Sequence, residues 1–229
     1  MTFYVHTGTV RSGRKASVST LLPKVCSELA RSLKDLKKIN WKVHWETFSV
    51  RFLFGLTVSL YFANQSAHLK EKYELSQRHV GYTISFLSVI GVVSSFSLGA
   101  ITRRFYGGDA DCQRRMTHSF LILSACFLGF YVTSNVYFYL AFLVPFAVST
   151  AILRIVSLEF MLGKSREDER GLISGTCNSV MSVARSLTPF MSGVVSEFVG
   201  ENAVMMFGFL PALAGTMLCV KLGRKYKQH

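Results

Sequence analysis

The sequence predicts an all-α polytopic membrane protein with six transmembrane helices, and three observations carry that prediction. The 229 residues are 50% hydrophobic and only 17% charged, with a mean hydropathy of +0.32, too apolar a balance for an ordinary soluble domain of this length. Six stretches have the length and apolarity of a bilayer crossing, about 20 helical residues for a hydrocarbon core of about 30 Å. The basic residues collect at alternate ends of those stretches, as the topology of a membrane bundle requires.

The six segments run approximately over 49–69, 81–101, 117–135, 137–162, 171–196 and 203–221. The turns "TSNVY" and "FVGEN" are short, so segments three and four, and five and six, form antiparallel hairpins. A β-barrel would show runs of about ten residues alternating apolar and polar; these stretches show no sustained alternation. Aromatic content is 13%, with 19 phenylalanines, which suits lipid-facing helix surfaces and interfacial belts.

Cytoplasmic loops hold the excess of Lys and Arg. Residues 1–48 hold nine of the 26 basic residues. The loop after segment two adds Arg103, Arg104, Arg114 and Arg115, the loop after segment four Lys164, Arg166 and Arg170, and the tail Lys221, Arg224, Lys225 and Lys227. The opposite side has Lys70, Lys72 and Arg78, diluted by Glu71 and Glu74. Six spans with both termini cytoplasmic follow. The formal charge of +13 is accounted for by topology, and no nucleic-acid partner is expected.

Three regions result: a basic cytoplasmic region 1–48, a six-helix bundle 49–221 and a basic tail 222–229. In the first, Val25, Leu29, Leu33 and Leu36 recur at helical spacing with Lys24, Arg31, Lys34, Lys37 and Lys38 mostly opposite, the pattern of a basic amphipathic helix on the membrane surface, with a disordered basic tail of short helical propensity as the alternative. Trp41 and Trp45 follow, where interfacial tryptophans are favoured. Residues 1–40 lack the apolar core of a cleaved signal, so insertion is expected to be driven by a later helix. The five scattered cysteines form no CxxC pair and no metal-ligand spacing, so neither a disulfide framework nor a metal is expected, and no cofactor is implied. No nucleophile elbow, phosphate-binding loop or HExxH motif is present, and "GYTISFLSVIG" lacks the strand context of a dinucleotide fingerprint, so an enzyme is not expected.

Segment five carries the strongest functional signal. Ser174, Asn178, Ser182, Arg185, Ser192 and Ser196 recur at spacings of three, four or seven along one face, implying a wet or protein-facing surface. Pro189 lies four residues after Arg185 and deprives its carbonyl of the helical donor, favouring a kink. A mid-membrane arginine costs about 2.5–3.5 kcal/mol on insertion scales, so it faces a cavity or a partner. Segment four supplies a second, Arg154, with Glu159 nearer the cytoplasmic end. Substrate binding or gating by these arginines, and the fastening of helices by them, are both open. Their charge favours an anionic or carboxylate-bearing solute. In segment one, Tyr61, Asn64, Gln65 and His68 share a polar face that a transport cavity or a neighbouring helix would satisfy; His68, at the non-cytoplasmic end, is expected to be solvated. Segments three and six carry few strong polar groups and are expected to face lipid.

"GAITRRFYGG", residues 99–108, resembles a degenerate form of the loop signature of the major facilitator superfamily, with Gly99, Arg103, Arg104 and Gly107 as its glycine and basic positions. Arg103 stands where the signature's aspartate falls. "ARSLTPFMSG", residues 184–193, is similar to the family's fifth-helix motif associated with antiporters, with fewer glycines. "YFANQSAHLKEKYELSQRHVGYTISF" and "RGLISGTCNSVMSVARSLTPFMSGVVSEF" resemble the C-terminal half of transporters related to the tetracycline-resistance type. The resemblance covers roughly residues 48–221, with residues 1–48 similar to the central cytoplasmic loop. It implies secondary active transport of a small-molecule substrate by alternating access, with proton coupling an option, segments one, two, four and five lining the cavity, and three and six peripheral. A complete transporter has two such halves around a midplane site. Here the other wall is expected from a second six-helix half or from a homodimer; the alternative is a non-transporting membrane scaffold or truncated half-transporter whose arginines are structural.

Overall fold

The computed structural model describes residues 41–106, 112–165, 167, 170–199 and 201–226; the amphipathic segment expected over 24–38 lies outside them. Among the described residues seven helices follow one another: α1 (Trp41–Tyr73), α2 (Gln77–Tyr106), α3 (Cys112–Val132), α4 (Val136–Lys164), α5 (Arg170–Val199), α6 (Glu201–Phe207) and α7 (Phe209–Tyr226). No strand occurs among the described residues. The last expected segment is therefore split at Gly208, whose N–H donates to the Met205 carbonyl at 3.2 Å, and the helix beginning the bundle starts at Trp41 instead of residue 49.

Among the described residues four helical stretches are long and apolar enough to cross a membrane: Gln77–Tyr106, Cys112–Val132, Val136–Gly163 and Val204–Arg224, the last spanning the break at Gly208. The other two long helices, α1 with 33 residues and α5 with 30, have ample length at about 1.5 Å per residue but are more polar. The packing explains α1. It lies against α2, α4, α5, α6 and α7 and reaches α3 through Lys72, so most of its surface meets protein rather than lipid. Its polar side chains Thr47, Arg51, Thr57, Gln65 and His68 are buried there, inside the bundle where polar groups of membrane helices belong. His68, expected to be solvated, is 2% exposed, with its ring 5.9 Å from that of Tyr73 and 6.1 Å from that of Tyr139. The sequence position alone placed it at a helix end; the continuation of α1 to Tyr73 covers it.

Aromatic rings fill the centre. Tyr61 of α1, Phe127 and Phe130 of α3, and Tyr139 and Phe146 of α4 are essentially inaccessible, with Tyr61 and Phe146 centroids 4.2 Å apart and Phe130 and Tyr139 4.8 Å apart. The Tyr61 and Tyr139 hydroxyls bond each other at 3.0 Å, which satisfies two polar groups that burial would otherwise penalise.

Helix α3 rests on α7 by a second device. The Phe120 and Phe127 rings, two turns apart, lie over Gly215 and Gly208, where a Cβ would collide with them. The opposite faces of the two helices expose Leu121, Ile122 and Leu128, and Leu210, Met217 and Val220. Between α1 and α5 the crossing is close because the facing residues are small. A Cβ at Gly55 would lie 3.3 Å from that of Ala184, and the buried stripe of α5 continues through Thr176, Cys177, Thr188 and Ser192, in keeping with small-residue packing of membrane helices.

Polar contacts close the ends of the bundle. Lys72 donates to the Phe130 carbonyl at 2.9 Å and to that of Tyr131, and the Tyr73 hydroxyl donates to the Thr133 carbonyl at 2.7 Å. The end of α1 thereby caps orphan carbonyls at the C-terminus of α3, where a cation is also favoured by the helix dipole. Burial lowers the Lys72 ammonium from its ordinary range. Asn135 caps α4, its side chain accepting from the Tyr137 N–H at 2.9 Å. At the other end, the buried Arg115 at the start of α3 pairs with Glu159 of α4 at 3.1 Å.

Between α1 and α2, Glu74 adopts φ 51° while its side chain is exposed. Left-handed backbone costs a non-glycine residue about 1–2 kcal/mol, whereas glycine gives back about 0.4–1 kcal/mol through the entropy of the unfolded chain. Glu74→Gly is expected to stabilise the protein by up to about 1 kcal/mol, seen as a raised thermal midpoint in detergent.

Candidate functional site

The arginines of the bundle divide into two kinds. Arg51, which the sequence shows only as a cation inside the apolar run "SVRFLFG", is 7% exposed. Its guanidinium donates to Ser157 Oγ of α4 at 3.0 Å. It joins α1 to α4, so helix fastening falls to a residue not singled out for it. Arg154 and Arg185, by contrast, are exposed on α4 and α5, and neither side chain has a hydrogen bond or ion pair among the described residues.

Arg154 lines a cleft of about 390 Å³ between α1, α2 and α4. Phe62, Leu87, Val92, Phe96 and Phe146 supply its apolar wall, and Ser88, Ser95 and Thr150 its hydroxyls. Each hydroxyl is already committed within its own helix: Ser88 donates to Ile84 at 2.9 Å, Ser95 to Gly91 at 2.7 Å and Thr150 to Phe146 at 3.0 Å. Residues of α2 were expected to line a cavity, but none was named from the sequence, because serine in a membrane helix carries the same signal whether it faces a cleft or only its own backbone.

Helix α5 presents Asn178, Ser182 and Arg185 on its outer surface, together with Val183, Leu187 and Phe190. The polar stripe then turns inward: Ser192 is buried and accepts from the Asn64 amide of α1 at 2.8 Å. Pro189 lies inside the uninterrupted α5. A smaller pocket of about 220 Å³ is formed by Asn64, Ala67, His68, Ser192, Gly193 and Ser196 with Val204 of α6.

The structure thus brings Asn64 to α5 and leaves the other expected residues in separate places. Arg154 and Arg185 do not share a cleft, since no residue of α5 lines that of Arg154. Tyr61 and Gln65 stand behind the wall instead of on it. Tyr61 packs its ring against Phe146, the residue that faces the cleft, and Gln65 is 2% exposed with its amide nitrogen unpartnered among the described residues. Of the loop signature, Gly99, Arg103 and Arg104 are exposed at the end of α2, and Gly107 lies outside the described residues.

Residues 6–189 match the family model described as Major Facilitator Superfamily. Among curated proteins, the chain is similar to "Solute carrier family 22 member 18" of Rattus norvegicus, 21% identical over 179 residues that make up 78% of this chain and 42% of the relative. The chain therefore spans less than half the length of that relative. The match covers most of the sequence, from before α1 to Pro189 of α5, and on that ground this integral membrane protein belongs to the Major Facilitator Superfamily.

Proposed function

We propose that the chain forms the C-terminal six-helix half of a secondary active transporter that moves a small solute by alternating access, akin to major facilitator superfamily domain-containing protein 9 of the tetracycline-resistance-type branch. The observation that carries this is the pair of unpartnered cations, Arg154 on α4 and Arg185 on α5, held on outer faces while Arg51 and Arg115 do the fastening. A charge kept at membrane depth without a protein partner fits a water-filled or substrate-filled surface. With Asn178 and Asn64 they form the solute-facing set, backed by Tyr61 and Gln65; α1, α2, α4 and α5 line the cavity, α3 and the α6–α7 span lie outside it, and both termini are cytoplasmic. Spans one and five are α1 and α5, whose polarity reflects protein and cavity contact. The opposing wall comes from another six-helix half or a second copy.

A non-transporting half in which arginines only fasten helices is favoured at Arg51 and Arg115, which do bridge helices. The two readings separate in proteoliposomes. Transport predicts that Arg154→Ala or Arg185→Ala lowers uptake of labelled solute about tenfold or more, the loss of a charge-assisted contact, with the thermal midpoint unchanged. Uptake untouched while stability falls would favour fastening.

A further inference from the structure

The cleft between α1, α2 and α4 has a chemistry narrower than "small solute". Among the described residues, Arg154 is the one charged residue lining it, and none of them brings a carboxylate or side-chain amide to it. The three hydroxyls spend their protons on their own helix carbonyls, so they offer acceptor lone pairs only. Donor capacity toward a ligand is confined to the guanidinium at one end, with five N–H groups arranged to grip a planar anion. The remainder is aromatic and aliphatic: Phe62 and Phe96 are 53% and 88% exposed, and Phe146 completes the wall. A cation meets like charge and no counter-charge. A sugar or other polyhydroxylated solute meets too few donors for its oxygens, which costs affinity.

We propose that this cleft takes an amphipathic organic anion, an aromatic or aliphatic body bearing one carboxylate, with the carboxylate on Arg154 and the body between Phe62, Phe96 and Phe146. This rests on the transport reading for its purpose, but binding tests it without transport.

The test uses the full chain in phosphatidylcholine nanodiscs and labelled 4-phenylbutyrate, with 4-phenyl-1-butanol and 4-phenylbutylamine as competitors of the same body and a different head. Saturable binding is expected, displaced by unlabelled carboxylate and not by the amine. Arg154→Gln weakens it about tenfold or more, as loss of a charge-assisted pair implies, and Arg154→Lys restores much of it. Gly91→Leu, at a cleft position where an added Cβ meets nothing within 4 Å, places a branched side chain in the cleft and abolishes binding. Equal displacement by the amine or alcohol, unchanged binding in Arg154→Gln, or no saturable binding to a monodisperse protein overturns the proposal. Displacement by phosphatidylglycerol in the disc also overturns it, because the occupant is then a membrane lipid. Binding that behaves as expected in a chain that moves nothing removes the transport reading alone.

Discussion

Tyr61→Ala is expected to destabilise the protein by about 3–5 kcal/mol, the cost of deleting a fully buried aromatic side chain whose neighbours relax only in part. Tyr61 is 0% exposed, and its ring touches those of Phe127, Phe130 and Phe146 from three directions, so the cavity left behind has no nearby group to fill it. Tyr61→Phe keeps the ring and removes only the hydroxyl bond to Tyr139, for a cost of about 1 kcal/mol. Denaturation midpoints in a fixed detergent measure both. The pair also separates support from solute contact: a backing residue predicts that Tyr61→Phe leaves solute affinity within about twofold, whereas a direct hydrogen bond to solute predicts a loss of about tenfold.

The second large effect is at the α3–α7 contact. Gly215→Leu places a branched side chain where a Cβ alone would already lie 2.5 Å from the Phe120 ring. The ring is itself fully buried, so the ring or the helix backbone must shift to make room. Overpacking of this kind costs about 1–3 kcal/mol, and more when backbone has to shift. A lowered thermal midpoint is expected, and Phe120→Ala in the same chain should recover part of it. Equal midpoints for Gly215→Leu and the parent would show that the two helices are not in contact there.

Much of the fold is legible in the sequence because membrane helices announce themselves by length and apolarity. Segments two, three and four coincide with α2, α3 and α4 to within a few residues at most ends. What does not show is which helix is central. A helix surrounded by protein can hold Arg51, Gln65 and His68 without cost only if its neighbours are known, and those neighbours lie on α4, α5 and α6, far along the chain. The same blindness hid Arg51, a lone cation in a phenylalanine-rich run, as the residue that joins α1 to Ser157 of α4. It also hid Gly208 and Gly215, whose meaning depends on two phenylalanines in another helix. The break at Gly208 falls inside a hydrophobic run that shows no polar interruption.

The candidate site was partly legible. Arg154 and Arg185 stand out as charges in apolar surroundings, and the structure leaves both exposed and unpartnered among the described residues. The serine–asparagine stripe of α5 reads as a single face from its spacing, yet only Asn178, Ser182 and Arg185 face outward, while Ser192 turns to Asn64 of α1. A face drawn on an isolated helix cannot register that a neighbouring helix covers its far end. Tyr61 illustrates the converse: its spacing with Asn64 puts both on one side, but α4 buries the ring and leaves the amide at the edge of a pocket.

In the proposed transporter the outer faces of α2, α4 and α5 are wet while those of α3 and α7 lie in lipid. Single cysteines placed at Ser88, Arg154, Ser182 and Arg185, and at Leu121, Leu128, Met217 and Val220, in a background cleared of the five native cysteines and reconstituted in bilayers, test it with a charged, membrane-impermeant thiol reagent. A thiol in hydrocarbon stays protonated and inaccessible, whereas one at a wet surface forms the reactive thiolate. Rapid modification at the first four positions and protection at the second four is the predicted result; protection at all eight, or modification of the two groups at equal rates, would contradict it.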